Sequence, residues 1–142
     1  MTSCLVDTNI LVRHIVGEPL DQARDSTAFL NSLGSGQTTG CVPVTVLLEF
    51  VFTLERQYRA TRSEVADALD RVLLLNGLTI ENRLQLAEAI ESYRERSNIS
   101  FADAYHCAMA RSFHDGSIVS FDRKLSSVPG VNRMEPGEFV SV

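Results

Sequence analysis

Cys4-Leu5-Val6-Asp7-Thr8-Asn9-Ile10-Leu11 sets the terms for the whole chain. An apolar run meets an aspartate, a Thr-Asn pair follows, and Ile10, Leu11, His14 and Ile15 then recur at helical spacing. The stretch predicts a short buried strand that delivers a carboxylate to the mouth of a helix. A helix N-terminus carries unpaired N–H groups and partial positive charge, which accommodates an anion. In an open parallel α/β sheet, ligands bind outside the carboxyl ends of the strands. Asp7 therefore has two readings at the outset, a helix N-cap or a member of a ligand site.

Outward from this stretch, short apolar runs alternate with helical patterns. The first helix is expected to stop near Gly17, with Pro19 beyond it. A second helix is expected over 20–33, ended by Gly34-Ser35-Gly36, and a strand over 38–42. Pro43 suits the start of a helix from Val44 to about Tyr58, which is apolar on several sides and predicts burial on more than one face. Glu49 sits in the middle of that run, where a carboxylate is costly unless paired or bound to a cation. Thr61 and Glu64 form a capping-box pattern for a helix to about Leu75. A minimal strand over 78–80 and a helix over 83–96 capped by Asn82 follow, with Leu84, Leu86, Ala87, Ile90 and Tyr93 inside. Ser100-Phe101-Ala102-Asp103 opens the next helix, Ser117–Ser120 reads as a strand leading into Asp122, and a strand over 131–134 precedes a polar tail. This alternation predicts α/β architecture with a parallel sheet, in a single domain over 1–142.

Composition narrows the class of protein. The chain has 142 residues, 44% of them hydrophobic, and a net charge of -5, which is not the basic balance of a general nucleic-acid binder. A local acidic site beside a basic rim remains compatible with that charge. All 13 basic residues except Lys124 are arginines, the side chain suited to bidentate phosphate contacts. The three cysteines, Cys4, Cys41 and Cys107, show no C-x-x-C spacing, which argues against zinc and for reduced thiols in the cytoplasm. No apolar run is long enough for a membrane span, and no secretory leader is evident.

Four acids stand out as candidate chemistry: Asp7, Glu49, Asp103 and Asp122. Each has a plain structural alternative. Asp7 can cap a helix, Asp103 can complete the box with Ser100, Asp122 can cap the turn at Arg123-Lys124-Leu125, and Glu49 can pair with an arginine. His106 and Cys107 are adjacent and so face different directions on a helix, which argues against a nucleophile–base pair. His14 and His114 show no ligand spacing.

Asp7-Thr8-Asn9 with Leu11 after a strand, Glu49 in an apolar helix, Ser100-Phe101-Ala102-Asp103-Ala104 opening a helix, and Ser120-Phe121-Asp122 after a strand together resemble the PIN domain. The length and order of elements resemble the small VapC-type toxins of bacterial toxin–antitoxin pairs, and the resemblance spans essentially the whole chain. Ser120 stands where that family often has Thr. The resemblance implies a single PIN-like domain with a short central, mostly parallel sheet of four to five strands flanked by helices. It implies a metal-dependent endoribonuclease that leaves a 5′-phosphate and a 3′-hydroxyl, and a cognate antitoxin.

The physical chemistry agrees with that implication. Clustered carboxylates stay ionised together when a cation joins them, and hard oxygen ligands suit Mg²⁺ or Mn²⁺. Asp7 and Asp103 are expected as principal ligands. Glu49 and Asp122 would complete the set, directly or through water. Thr8, Asn9, Ser100 and Ser120 are expected to orient the carboxylates, and Arg13, Arg123 and Lys124 to hold the RNA backbone. The apolar surface over 44–75 fits a homodimer or partner contact, and plain core packing explains it equally well. Two other classes compete. An aspartyl-phosphate phosphohydrolase would use Asp7 as nucleophile, but it needs a second acid where Asn9 stands. A non-catalytic PIN-like or receiver-like binding module would not need the acids, and a receiver would want an acidic pair after its first strand.

Overall fold

A computed structural model describes residues 2–140. In order, the elements are β1 (Thr2–Leu5), α1 (Thr8–Val16), α2 (Leu20–Leu33), β2 (Thr38–Cys41), α3 (Val44–Arg56), α4 (Arg62–Leu73), β3 (Leu78–Thr79), α5 (Arg83–Glu95), α6 (Phe101–Phe113), β4 (Ser117–Val119), a 3-10 turn (Arg123–Ser127), β5 (Asn132–Met134) and α7 (Gly137–Val140). The class is α/β, and every strand pairing among these residues is parallel. The chain forms two compact units, Met1–Arg83 and Leu84–Val142. The five expected strands divide between a three-stranded sheet, β1-β2-β3, and a pair, β4-β5.

In the first unit, local chemistry sets the boundaries. Gly17 takes φ 81°, the left-handed conformation that ends a helix, and its N–H donates to the Arg13 carbonyl at 2.9 Å. Thr61 and Glu64 exchange both bonds of the capping box at the start of α4. Leu5 lies opposite Cys41 and Cys41 opposite Thr79, so β2 is the central strand. Val6, Leu11, Leu30, Leu33, Val42, Leu47, Phe50, Val65, Leu69 and Val72 fill the core. Burying each such side chain contributes roughly 1.5–3 kcal/mol.

Two expectations for this unit are corrected. The opening strand is not buried: Thr2, Ser3 and Leu5 are exposed, and only Val6, just beyond its end, is sealed in the core. β1 lies at an edge of its sheet, paired to β2 alone among the described residues. Glu49, read as a carboxylate buried in the apolar run of α3, is not buried either. Thr45, Glu49, Phe52 and Arg56 are all exposed, at spacings that place them on one helical face, while Val46, Leu47, Phe50, Val51 and Leu54 are buried. Arg56 caps the exposed ring of Phe52, with its guanidinium carbon 5.2 Å from the ring centre.

In the second unit, α5 contributes Leu86, Ala89, Ile90 and Tyr93 to the core, and α6 contributes Phe101, Ala104, Cys107 and Ala108. Tyr93 meets Phe101 edge to face, with ring centres 5.8 Å apart and planes at 82°. Leu84 and Ala87, expected inside, are exposed, because the buried stripe of α5 follows positions 86, 89, 90 and 93 instead. Asn82, expected as the cap of α5, takes φ 57°, unlike the extended backbone of a capping residue. The tail read as polar contains α7; its last two residues, 141 and 142, lie outside the described residues. No helix among the described residues is long and apolar enough to cross a membrane.

Candidate active site

Asp7 caps α1. Its backbone is extended, with ψ 161°, and its Oδ1 accepts a hydrogen bond from the Thr8 N–H at 2.8 Å. That bond fixes the carboxylate at the positive end of the helix and leaves Oδ2 without a hydrogen-bond partner among the described residues. Glu49 arrives from the exposed face of α3. Asp7, Thr8, Asn9, Val12 and Arg13 of the α1 region and Glu49, Thr53 and Gln57 of the α3 region line one cavity of about 210 Å³. The arginine pairing considered for Glu49 is not formed among the described residues. Its carboxylate caps no helix, while its backbone carbonyl accepts from Thr53 Oγ1 at 2.9 Å.

Thr8 adds a second signal at this cavity. The residue is 5% exposed, and its Oγ1 is buried with no hydrogen-bond partner among the described residues. A buried unpaired hydroxyl costs about 1–3 kcal/mol unless another group supplies the partner. Asn9 is exposed at the cavity wall. Arg13, half-buried, lines the same wall and donates from Nε to Gln22 Oε1 on α2 at 2.9 Å.

The other two acids belong to the second unit, each half-buried. Asp103 stands in the first turn of α6, and its N–H donates to Ser100 Oγ at 3.1 Å. Asp122 caps the 3-10 turn: its Oδ1 accepts from the Lys124 N–H at 3.1 Å, and its own N–H donates to Ser120 Oγ at 3.0 Å. Ser100 and Ser120 therefore hold the backbone of the acidic residues, not their carboxyl oxygens. The capping alternatives for Asp7 and Asp122 are real, and Ser100 supplies the cap at Asp103. A cap uses one carboxylate oxygen at most and leaves the other available. Arg123 and Lys124 are exposed at the start of the turn.

Taken separately, neither unit gathers three His, Cys, Asp or Glu side chains, among the described residues, into a group that could hold a metal ion. Two carboxylates on one polar cavity nevertheless fit Mg²⁺ or Mn²⁺. Mg²⁺ is typically held by one or two carboxylates and completes its shell with water and substrate phosphate. The unpaired Thr8 hydroxyl beside Asp7 is a further polar group for such a shell.

The remaining titratable residues lie apart from this chemistry. His106 is exposed while Cys107 is buried, so they do face different directions, and burial pushes the Cys107 thiol up from its ordinary value. His14 shares a 2.8 Å hydrogen bond with Thr27 Oγ1, a structural link between α1 and α2. Cys4 and Cys41 are free and half-buried. The sequence reading missed Thr53, Gln57 and Gln22. Thr53 and Gln57 follow Glu49 at successive four-residue steps, so helical periodicity alone could have marked them. Gln22 has no such signal, because only the packing of α2 on α1 brings it to Arg13.

An α/β chain with a carboxylate at the end of its first strand and another on a facing helix defines a class of candidate hydrolytic sites, and the comparisons give that class a family. The family model for the PIN domain matches residues 4–131, and the chain belongs to the PIN-domain family. A VapC ribonuclease of Aquifex aeolicus (strain VF5) is 25% identical over 134 residues, covering 94% of this chain and 97% of that protein. Among solved structures, VapBC2 from Rickettsia felis bound to a DNA fragment from their promoter aligns over 95% of this chain and 98% of its own, with 17% identity and a TM-score of 0.37.

Proposed function

We propose that this protein is a metal-dependent endoribonuclease of the VapC kind, the toxin of a toxin–antitoxin pair. The observation that carries the reading is that Asp7 and Glu49 open on one polar cavity and that, among the described residues, neither carboxylate is neutralised by an ion pair. Membership of the PIN family and the likeness to a VapC ribonuclease support it.

In this reading Asp7, Glu49, Asp103 and Asp122 are the catalytic carboxylates of a single PIN domain, with Asp7 and Asp103 the principal ligands. A Mg²⁺ or Mn²⁺ ion held by them supplies Lewis-acid stabilisation of the charge that develops on the scissile phosphate. The Thr8 N–H holds Asp7 in place, so the carboxylate meets the cation without reorganising. Glu49 or Asp122 orients the attacking water and receives its proton. Arg13, Arg123 and Lys124 hold the RNA backbone. The products carry a 5′-phosphate and a 3′-hydroxyl. Asn9, two residues after Asp7 on the same cavity, cannot act as the second acid of an aspartyl-phosphate phosphohydrolase. The reading includes a cognate antitoxin, a homodimer and a cytoplasmic setting.

The test is cleavage of total RNA by the purified chain. Cleavage is expected with Mg²⁺ or Mn²⁺, to stop with EDTA and to return with added Mn²⁺, with 5′-phosphate ends at the mapped sites. Equal cleavage by Asp7→Asn would overturn the reading.

A further inference from the structure

We propose that Gln22 is a positioning residue for Arg13, and that the two form a subsite for a backbone phosphate of single-stranded RNA at the rim of the Asp7–Glu49 cavity. The proposal rests on the nuclease reading. Arg13 is common to two cavities: the one it shares with Asp7 and Glu49, and a second of about 310 Å³ lined by Asn9, Ile10, Arg13, Gln22, Asp25 and Ser26. A guanidinium beside carboxylates ordinarily closes onto one of them through short, charge-assisted bonds. Arg13 does not. It forms no ion pair with Asp7, Glu49 or Asp25 among the described residues, and its Nε is taken by Gln22 Oε1 at 2.9 Å.

The identity of that acceptor decides what the arginine can do. A neutral amide oxygen takes one N–H and leaves the positive charge uncompensated. A carboxylate at position 22 would neutralise it. Both Nη groups are left without a partner among the described residues. They form the planar fork that matches two phosphate oxygens. Gln22 thus keeps two opposite functions apart in one small space: the carboxylates stay open to a cation, and the guanidinium stays open to an anion. A phosphodiester at a metal site presents that pair of demands. Gln22 itself is exposed on α2, so its substitution leaves the core intact.

The experiment is fluorescence anisotropy of a fluorescein-labelled, random-sequence 20-mer RNA pool on the full chain, in EDTA so that the RNA is not cut, across a salt series. Arg13→Ala is expected to weaken binding and to reduce the slope of log K against log salt by about 0.7, the value for one phosphate contact on a single strand. Gln22→Leu is expected to weaken binding about 3- to 10-fold with a reduced slope. In the Arg13→Ala background it is expected to add nothing. Gln22→Ala is measured alongside, with thermal melts, so that a folding defect in one variant does not decide the result. An unchanged affinity and slope in both Gln22 variants would overturn the proposal, as would an equal loss with and without Arg13. Absence of binding by the unsubstituted chain would also overturn it. With Mg²⁺ present, Gln22→Leu is expected to raise KM more than it lowers kcat. A chain that shows the binding pattern but cuts no RNA refutes the nuclease reading and supports the phosphate subsite.

Discussion

A Cβ added to Gly40 would lie 2.7 Å from Val6 Cγ2, so these two residues share a space that admits no further methyl group. Gly40 sits on the central strand β2, Val6 is 1% exposed, and Leu33 Cδ1 and Leu78 Cδ2 close the same space at 3.0 and 3.2 Å. Val6 is also the residue before Asp7, so this contact sets where the carboxylate leaves the core. Gly40→Ala is expected to destabilise the fold by about 1–3 kcal/mol through overpacking. Val6→Ala in that background is expected to cost less than it does alone, with a coupling of at least about 0.5 kcal/mol. Urea unfolding of the two single variants and the double variant measures it.

Asp7→Asn and Glu49→Gln separate chemistry from folding. Asn remains a good helix cap, so Asp7→Asn is expected to leave the thermal midpoint nearly unchanged. Loss of one ligand is expected to lower cleavage by about 10²-fold or more, beyond the range for groups that only orient ligands. Cleavage rates and calorimetry on the same preparations compare the two effects.

Thr8→Val should act in opposite directions on stability and metal binding. It removes a buried hydroxyl that has no partner among the described residues, so in EDTA the variant is expected to be more stable by about 1 kcal/mol. It is also expected to bind Mn²⁺ more weakly. Thermal melts in EDTA and titration calorimetry with Mn²⁺ read the two effects; a loss of stability in EDTA would show that the hydroxyl is satisfied within the fold.

His14 gives the chain a pH dependence with a definite sign. Burial, and then the charge of Arg71, hold its imidazole below the usual histidine value. As the pH falls through about 6.5 the unfolded chain takes up the proton first, so the native state loses stability from there downward. The contribution is fully present above that value. Urea midpoints at pH 7.5 and 5.5 are expected to differ less in His14→Gln than in the parent chain.

Thr61→Ala removes the cap of α4 and is expected to cost about 1 kcal/mol. The hydrogen bonds from the Thr61 backbone and side chain hold the Glu64 carboxyl below its usual value, so its half of the box is present at neutral pH and fades as the pH falls into the carboxylate range. Unfolding of Thr61→Ala at pH 7 and pH 4 is expected to show a smaller penalty in acid.

Much of this molecule follows from local sequence. Gly17 ends α1 because its left-handed φ is open to glycine at little cost, and Thr61 with Glu64 starts α4 because a capping box is a local arrangement. Asp7 was marked by the apolar run before it and the helical pattern after it. What failed was the inference from apolar content to burial. Glu49 stands in an apolar run and reads as a buried carboxylate, yet it lies on the narrow face of α3 that stays open, together with Phe52, 51% exposed. The β1 residues likewise carry no local mark of an edge strand, since edge position is set by the pairing order.

The sequence by itself therefore determined the succession of elements, their caps and stops, and the short set of acids worth considering. These depend on backbone preference and nearest neighbours, which are written in the residues concerned. Only the tertiary structure decided that Asp7 and Glu49 line one cavity, that the Thr8 hydroxyl beside them has no partner among the described residues, and that Arg13 on the same wall donates to Gln22 of α2. Those facts depend on which helix face packs against which. That is settled by the shape of the whole core, and a single residue carries no local record of it.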